Sequence, residues 1–145
     1  DGAFNAPHPT PYLHGAALML KREVIDRVGP MPEVYFLYYE ELDWCAQMTR
    51  YGYQLWYEPR CTVFHKESQS TGRQSPLRTF YLTRNRLLFA WRNLSGYARG
   101  LSIAYQLTIA IPMSNFKHLR NGTFKLMWAT LRAVGSFIVL PNKKE

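Results

Sequence analysis

The two halves of this 145-residue sequence carry charge of opposite sign, and this asymmetry restricts how the chain is organised. Residues 1–75 contain seven Lys/Arg against nine Asp/Glu, a net of −2, whereas residues 76–145 contain eleven against one, a net of +10. The sequence therefore predicts two parts that meet near residue 75. The basic part could face anionic lipid, nucleic acid or a phosphorylated ligand, and charge alone does not choose among them.

The composition is that of a globular chain, with 47% hydrophobic and 15% aromatic residues. Its start, "DGAFNAPHPTPY", is polar and proline-rich, lacks an initiator Met and has neither the basic nor the apolar region of a signal peptide. We therefore expect a fragment of a longer protein. Cys45 and Cys61 lie in apolar surroundings without zinc-site spacing, so we expect reduced, buried thiols.

Local patterns in the first part predict an α/β fold made of short strands with flanking helices. Residues 1–12 contain three prolines and are typical of a loop. The apolar run "LHGAALML" predicts a strand, and "KREVIDRVG" predicts a short helix that stops at Gly29 and Pro30. Residues 33–51 predict a helix, and "YQLWYEP" and "CTVFH" predict two short strands.

The second part predicts a helical extension. Pro76 begins a helix that ends at Ser95 and Gly96, and two amphipathic helices follow at residues 97–113 and 124–140, separated by a polar break. Charged or helix-disrupting residues interrupt both, so neither matches the ~20 apolar residues of a membrane span. We expect peripheral contact with an anionic membrane. The alternative is packing on the domain or in a homodimer.

The run "YFLYYEELDWC" places three carboxylates among aromatic residues. If residues 37–51 are helical, Glu41 falls on an apolar stripe, while Glu40 and Asp43 fall on a polar flank. A carboxylate on the stripe is costly unless it is paired or protonated, which suits a general base. The alternative is that the helix begins only at Glu40, so that Glu41 is a first-turn acid near the positive end of the helix dipole, without chemistry.

The order of motifs between residues 12 and 92 resembles the C-terminal half of family 2 glycosyltransferases, particularly the rhamnosyltransferase-like bacterial members. The motifs are "GAALMLKREVIDRVG", "PEVYFLYYEELDWC", "RYGYQLWYEP", "VFHKESQSTG" and "YLTRNRLLF". Each alone is a weak signal, but together they occur in the family's order and near its spacings. The resemblance implies a partial GT-A fold. It also implies transfer of a sugar, rhamnose among the candidates, from a nucleotide diphosphate sugar to an acceptor hydroxyl with inversion.

The resemblance also implies roles for individual residues. The second acid of the family's Glu-Asp-x-Asp motif is its base, and that position is Glu41 here. Glu40 and Asp43 are expected on the substrate side, with Trp44 offering a flat face to a sugar. The remaining expected site residues are Gly15, where the family needs a small residue, and His65, which would complete the coordination of Mg²⁺ or Mn²⁺.

The family's nucleotide-binding strands and Asp-x-Asp motif would precede this region, and the sequence contains no Asp-x-Asp. We therefore expect an incomplete cation site and weak donor binding by this chain alone. The implied setting is bacterial polysaccharide or glycolipid synthesis on the cytoplasmic face of the membrane, with a saccharide or lipid-linked saccharide acceptor. The alternative is an inactive remnant that binds membrane surfaces or polyanions. Nucleic acid is not expected as a partner, because the basic residues lie in apolar helices.

Overall fold

A computed structural model describes residues 5–64 and 75–140. These residues form two units. The N-terminal unit comprises residues 5–36 and 40–64, and the C-terminal unit comprises residues 37–39 and 75–140. The described residues are mostly helical with a small two-stranded sheet, which is compatible with an α/β fragment.

The sheet of the N-terminal unit pairs β1 (His8–Pro9) with β2 (Trp56–Tyr57) in antiparallel register. The backbone N–H of Thr10 extends the pairing by donating to the carbonyl of Leu55 at 2.9 Å. The strand predicted around Trp56 is thus confirmed in part. The other strand, β1, was expected to be a loop, because proline cannot donate a hydrogen bond to a neighbouring strand. Proline is nevertheless tolerated at the edge of a sheet, where Pro9 lies.

The strand predicted for residues 13–20 is wrong. The segment turns at His14, whose ring Nδ1 accepts from the N–H of Ala16 at 3.1 Å and whose carbonyl accepts from the N–H of Ala17 at 3.2 Å. Such local hydrogen bonds compete with strand pairing. Residues 61–64 also form no regular strand.

Helix α1 (Arg22–Val28) is confirmed at both ends. It stops at Gly29, which has φ 93° and donates its N–H to the carbonyl of Ile25 at 2.9 Å. A glycine at this position is the usual helix terminator, because it adopts positive φ without a steric cost.

Helix α2 (Glu40–Arg50) begins later than predicted. A short 3₁₀ turn spans Glu33–Tyr35, and Phe36, Tyr38 and Tyr39 then have φ of 61°, 66° and 76°. An L-residue in this region costs about 1 kcal/mol or more, and a right-handed helix cannot run through it. The prediction of a helix before Glu40 is therefore wrong.

The core of the N-terminal unit lies between α1, α2 and the residue that leads into β2. Its buried members are Val24, Trp44, Cys45, Met48 and Leu55. Cys45 is buried as expected and burial raises the pKa of its thiol, whereas Cys61 is exposed, contrary to expectation.

The longer segment of the C-terminal unit opens with α3 (Pro76–Asn93), which starts at Pro76 as predicted. Ser75 caps this helix by accepting the N–H of Arg78 on its hydroxyl at 3.1 Å, and Pro76 occupies the first turn, where its missing N–H is harmless. Its other helical segments are α4 (Gly96–Tyr105), a π-helical turn (Gln106–Ala110), α5 (Ile111–Arg120) and α6 (Phe124–Val139).

The polar break predicted over residues 114–122 is wrong for most of its length, because α5 continues to Arg120. The chain reverses only around Gly122, which has φ 67°. Most residues of the polar sequence "SNFKHLR" are solvent-exposed. A polar sequence can form the exposed side of a helix, so its polarity did not indicate a break.

Helix α3 packs against α6, and α5 also contacts α6. The buried apolar residues of α3 and α6 are Leu87, Leu88, Ala90, Ala129, Ala133 and Phe137. Across residues 5–64 and 75–140, no helix combines the length and hydropathy that a membrane span requires.

A buried asparagine on α3 holds the short N-terminal segment of this unit. The side-chain amide of Asn85 donates to the carbonyl oxygens of Leu37 at 2.7 Å and Tyr38 at 2.8 Å. Its own Oδ1 accepts from Nε of Arg84 at 2.8 Å, and the Arg84 guanidinium lies 4.7 Å from the ring centroid of Tyr81. Residues 37–39 thus belong to the C-terminal unit, although they immediately precede α2 in the chain.

Candidate functional site

The three carboxylates singled out in the sequence occupy the first turn of α2, in three different environments. Asp43 is fully buried and accepts a hydrogen bond from Nε2 of Gln47 at 3.2 Å. The sequence predicted it on a polar flank of the helix, and the structure shows that this position is buried, because the buried face of α2 runs through residues 43–45.

Glu41 is half-buried, and its two carboxylate oxygens differ. Oε1 accepts a hydrogen bond from the hydroxyl of Tyr12 at 2.9 Å. Oε2 is buried and has no hydrogen-bond partner among the described residues. The helix does begin at Glu40, as the alternative interpretation requires, but a first-turn position alone does not account for a buried oxygen without a partner.

Gly15 lies beside the Glu41 side chain, so the structure brings these two predicted site residues together. A Cβ atom at position 15 would lie 3.5 Å from Cβ, 3.6 Å from Cγ and 3.7 Å from Cδ of Glu41. A methyl group would therefore make ordinary contact there, and a larger side chain would cover the carboxylate.

Glu40 is also half-buried rather than solvated. Its Oε2 is buried with no hydrogen-bond partner among the described residues. Burial raises the pKa of the Glu40 carboxyl above its ordinary value of 4.5, its own backbone N–H lowers it, and the neighbouring charge of Glu41 raises it further. Two adjacent carboxylates thus each present one buried oxygen with no donor among the described residues, and such a group calls for an explanation, of which a catalytic role is one.

Trp44 lies in the core of the N-terminal unit. Its side chain is 6% exposed, and its indole N–H donates to the carbonyl of Gly29 at 3.0 Å. The open face expected for sugar stacking is therefore covered in this structure. A tryptophan next to an acidic motif can either line a ligand site or fill the core, and its position in the sequence does not distinguish these two roles.

The cation site predicted with His65 lies outside the described residues. Within the described ranges, no group of three or more His, Cys, Asp or Glu side chains could hold a metal ion. The described residues alone therefore do not fit the cation.

Tyr12 is the site residue that the sequence analysis missed. It lies in the proline-rich segment expected to be a loop, and 29 residues separate it from the carboxylate that it contacts. Burial and the hydrogen bond to Glu41 both raise the pKa of its phenol. The only sequence signal was its position, at the point where the resemblance to family 2 glycosyltransferases begins.

Comparison with known proteins shows that the chain is glycosyltransferase-like. It is 34% identical over 65 residues to N-acetylglucosaminyl-diphospho-decaprenol L-rhamnosyltransferase from two strains of Mycobacterium tuberculosis, a match that covers 45% of this chain and 21% of that protein. It is also 33% identical over 42 residues to a low-salt glycan biosynthesis hexosyltransferase from Haloferax volcanii, covering 29% of this chain and 14% of that protein.

These similarities confirm the resemblance to glycosyltransferases predicted from the sequence. The matched region spans about a fifth of the rhamnosyltransferase and less of the hexosyltransferase. No family model matches the chain, and no solved structure matches it.

Proposed function

We propose that this chain is the acceptor-side part of a glycosyltransferase of the GT-A fold, which transfers a sugar from a nucleotide diphosphate sugar to an acceptor hydroxyl with inversion. The observation that carries the proposal is the Glu41 carboxylate, with Oε1 bonded to Tyr12 and a buried Oε2 without a described partner. The similarity to two named glycosyltransferases supports the class of reaction.

In the proposed reaction, Oε2 of Glu41 takes the proton of the acceptor hydroxyl as the hydroxyl oxygen bonds to the anomeric carbon. The bond between that carbon and the diphosphate oxygen breaks, and the nucleoside diphosphate leaves with the electron pair. A single displacement from the opposite face inverts the anomeric centre, as in inverting glycosidases, which also use a carboxylate base. General-base catalysis of this kind contributes about 10²- to 10⁴-fold to a rate.

The names of the relatives suggest which substrates to test first. One relative is named for transfer of L-rhamnose to N-acetylglucosaminyl-diphospho-decaprenol. We accordingly propose nucleotide-activated rhamnose as the first donor and a lipid-linked saccharide as the first acceptor, in polysaccharide or glycolipid synthesis at the cytoplasmic face of the membrane.

The test is Glu41→Gln in the full-length protein that contains this chain. The substitution keeps the shape of the side chain and the contact to Tyr12 but removes the base, so we expect transfer to fall at least about 100-fold while donor binding, measured by calorimetry, is retained. Glu33→Gln, at an exposed position, is the matched control. Turnover at the wild-type rate in Glu41→Gln would overturn the proposal.

We also propose that the C-terminal unit contacts an anionic membrane. Residues 75–140 contain nine Lys/Arg and no Asp/Glu. Tyr97, Leu101 and Tyr105 are 92%, 71% and 57% exposed, and their spacing of four residues places them along one side of α4. Large exposed apolar side chains on a purely basic helical unit favour a lipid interface over bulk water.

A further inference from the structure

Two kinds of contact hold Tyr12 in place: hydrogen bonds to its backbone segment and packing against the core. The hydroxyl of Thr10 donates to the carbonyl of Tyr12 at 3.0 Å, and the N–H of Thr10 is bonded to the carbonyl of Leu55 next to β2. The ring of Tyr12 packs against the core cluster of the N-terminal unit. The phenol therefore approaches α2 from a backbone that is itself tied to the sheet.

The contact occupies one carboxylate oxygen, and the other has no donor within residues 5–64 and 75–140. Tyr12 donates to Oε1 of Glu41 at 2.9 Å, Oε2 is buried without a described partner, and Gly15 provides no side chain that could cover the group. A carboxylate held at one oxygen has a fixed plane, so the lone pairs of the second oxygen have a fixed direction.

We infer that Tyr12 is a positioning residue for the transfer reaction: its hydroxyl holds Oε1 of Glu41 so that Oε2 receives the proton of the acceptor. This inference rests on the proposed function of Glu41 as the base. Tyr12 is a donor only and does not exchange its own proton in the reaction.

Burial keeps the phenol protonated, and the groups around it act in the same direction. Burial, the hydrogen bond to Glu41 and the neighbouring Glu41, Cys45 and Glu40 all raise the pKa of Tyr12, and the ring centroid of His14 lies 6.5 Å from that of Tyr12. A protonated phenol donates to a carboxylate, so the contact to Oε1 of Glu41 persists while Oε2 takes the proton.

The experiment is Tyr12→Phe in the full-length protein, which keeps the packed ring and removes the hydroxyl. We expect kcat to fall about 10-fold, the size of one hydrogen bond to a charged group, with an unchanged donor KM. Tyr51→Phe, at a half-exposed tyrosine, is the matched control. An unchanged kcat in Tyr12→Phe would overturn the inference.

A second measurement does not depend on turnover. In protein labelled with ¹³C at glutamate carboxyls, the carboxyl resonance of Glu41 at a fixed pH is expected to move in Tyr12→Phe and, by a smaller amount, in Thr10→Val, which releases the backbone of Tyr12. An unmoved resonance in both variants contradicts the inference. Wild-type turnover in Glu41→Gln would instead remove the proposed function, so the two failures are distinguishable.

Discussion

The side-chain amide of Asn85 donates to the carbonyl oxygen of Tyr38 at 2.8 Å, across 47 residues of sequence. The second amide proton goes to the preceding carbonyl, that of Leu37. Tyr38 and Tyr39 both have positive φ, so this amide is bonded to a segment whose conformation an isolated peptide would avoid.

We therefore expect Asn85→Ala to lower the free energy of unfolding by about 2–4 kcal/mol, because two carbonyl groups lose their donor and Arg84 loses its acceptor. Urea denaturation followed by circular dichroism measures the change. Asn93→Ala removes an amide that donates to the carbonyl of Phe89 in the same helix, and is expected to cost less than about 1 kcal/mol. Equal losses in the two variants would show that the long-range contact is unimportant.

Substitutions at Gly15 test the space beside the Glu41 carboxylate. Gly15 is exposed and its φ is not in the left-handed region, so the backbone accepts other residues. Gly15→Ala makes ordinary contact and is expected to change acceptor kinetics about twofold or less, whereas Gly15→Val is expected to lower kcat/KM for the acceptor about 10-fold or more. The melting temperature should stay the same in both, and a parallel loss of stability would contradict the explanation.

The raised pKa of Glu40 predicts how stability depends on pH. A carboxyl whose pKa is higher when folded binds more protons in the folded state, so its contribution to stability declines as pH rises from its ordinary value of 4.5 through the raised value. Glu40→Gln removes that decline and is expected to be more stable than wild type at pH 8, with a smaller difference at pH 4. Guanidinium denaturation at both values measures this, with Glu33→Gln as the control. A Glu40→Gln protein less stable than wild type at pH 8 would refute the prediction.

Vesicle binding tests the membrane contact proposed for the C-terminal unit. The double substitution Tyr97→Ser and Leu101→Ser is expected to reduce sedimentation with phosphatidylserine vesicles about 10-fold or more, since burying each large apolar side chain contributes about 1.5 kcal/mol or more. Met19→Ser is the control, because Met19 is 95% exposed but lies in the N-terminal unit. Equal binding to phosphatidylcholine vesicles would rule out the electrostatic part of the contact.

The sequence predicted those elements whose ends are set by adjacent residues. Gly29 ends α1 and Pro76 starts α3 for reasons contained in one turn of chain, and both were predicted correctly. The start of α2 at Glu40 was predicted only as the alternative interpretation, since the conformation of Tyr38 is tied to an amide 47 residues away. No local pattern contains that information.

The residues of the candidate site also divide into those that the local sequence predicted and those that it did not. Glu41 was found from helical periodicity and from the resemblance, although the helix that carries it is shorter than the one used to find it. Tyr12 was missed, since a tyrosine in a proline-rich stretch has no period and no neighbouring motif. Trp44 shows the reverse case, because its pattern fits both a ligand wall and a core residue, and its indole lies in the core.

The position of residues 37–39 in the C-terminal unit also governs how this protein can be recombined with its relatives. A hybrid joined near residue 75 would take Asn85 from one parent and the backbone that it holds from the other. The exchange would preserve both apolar cores and still separate partners that must match. Libraries of such hybrids should therefore move the tripeptide 37–39 together with α3, as one inherited module that α2 interrupts in the chain.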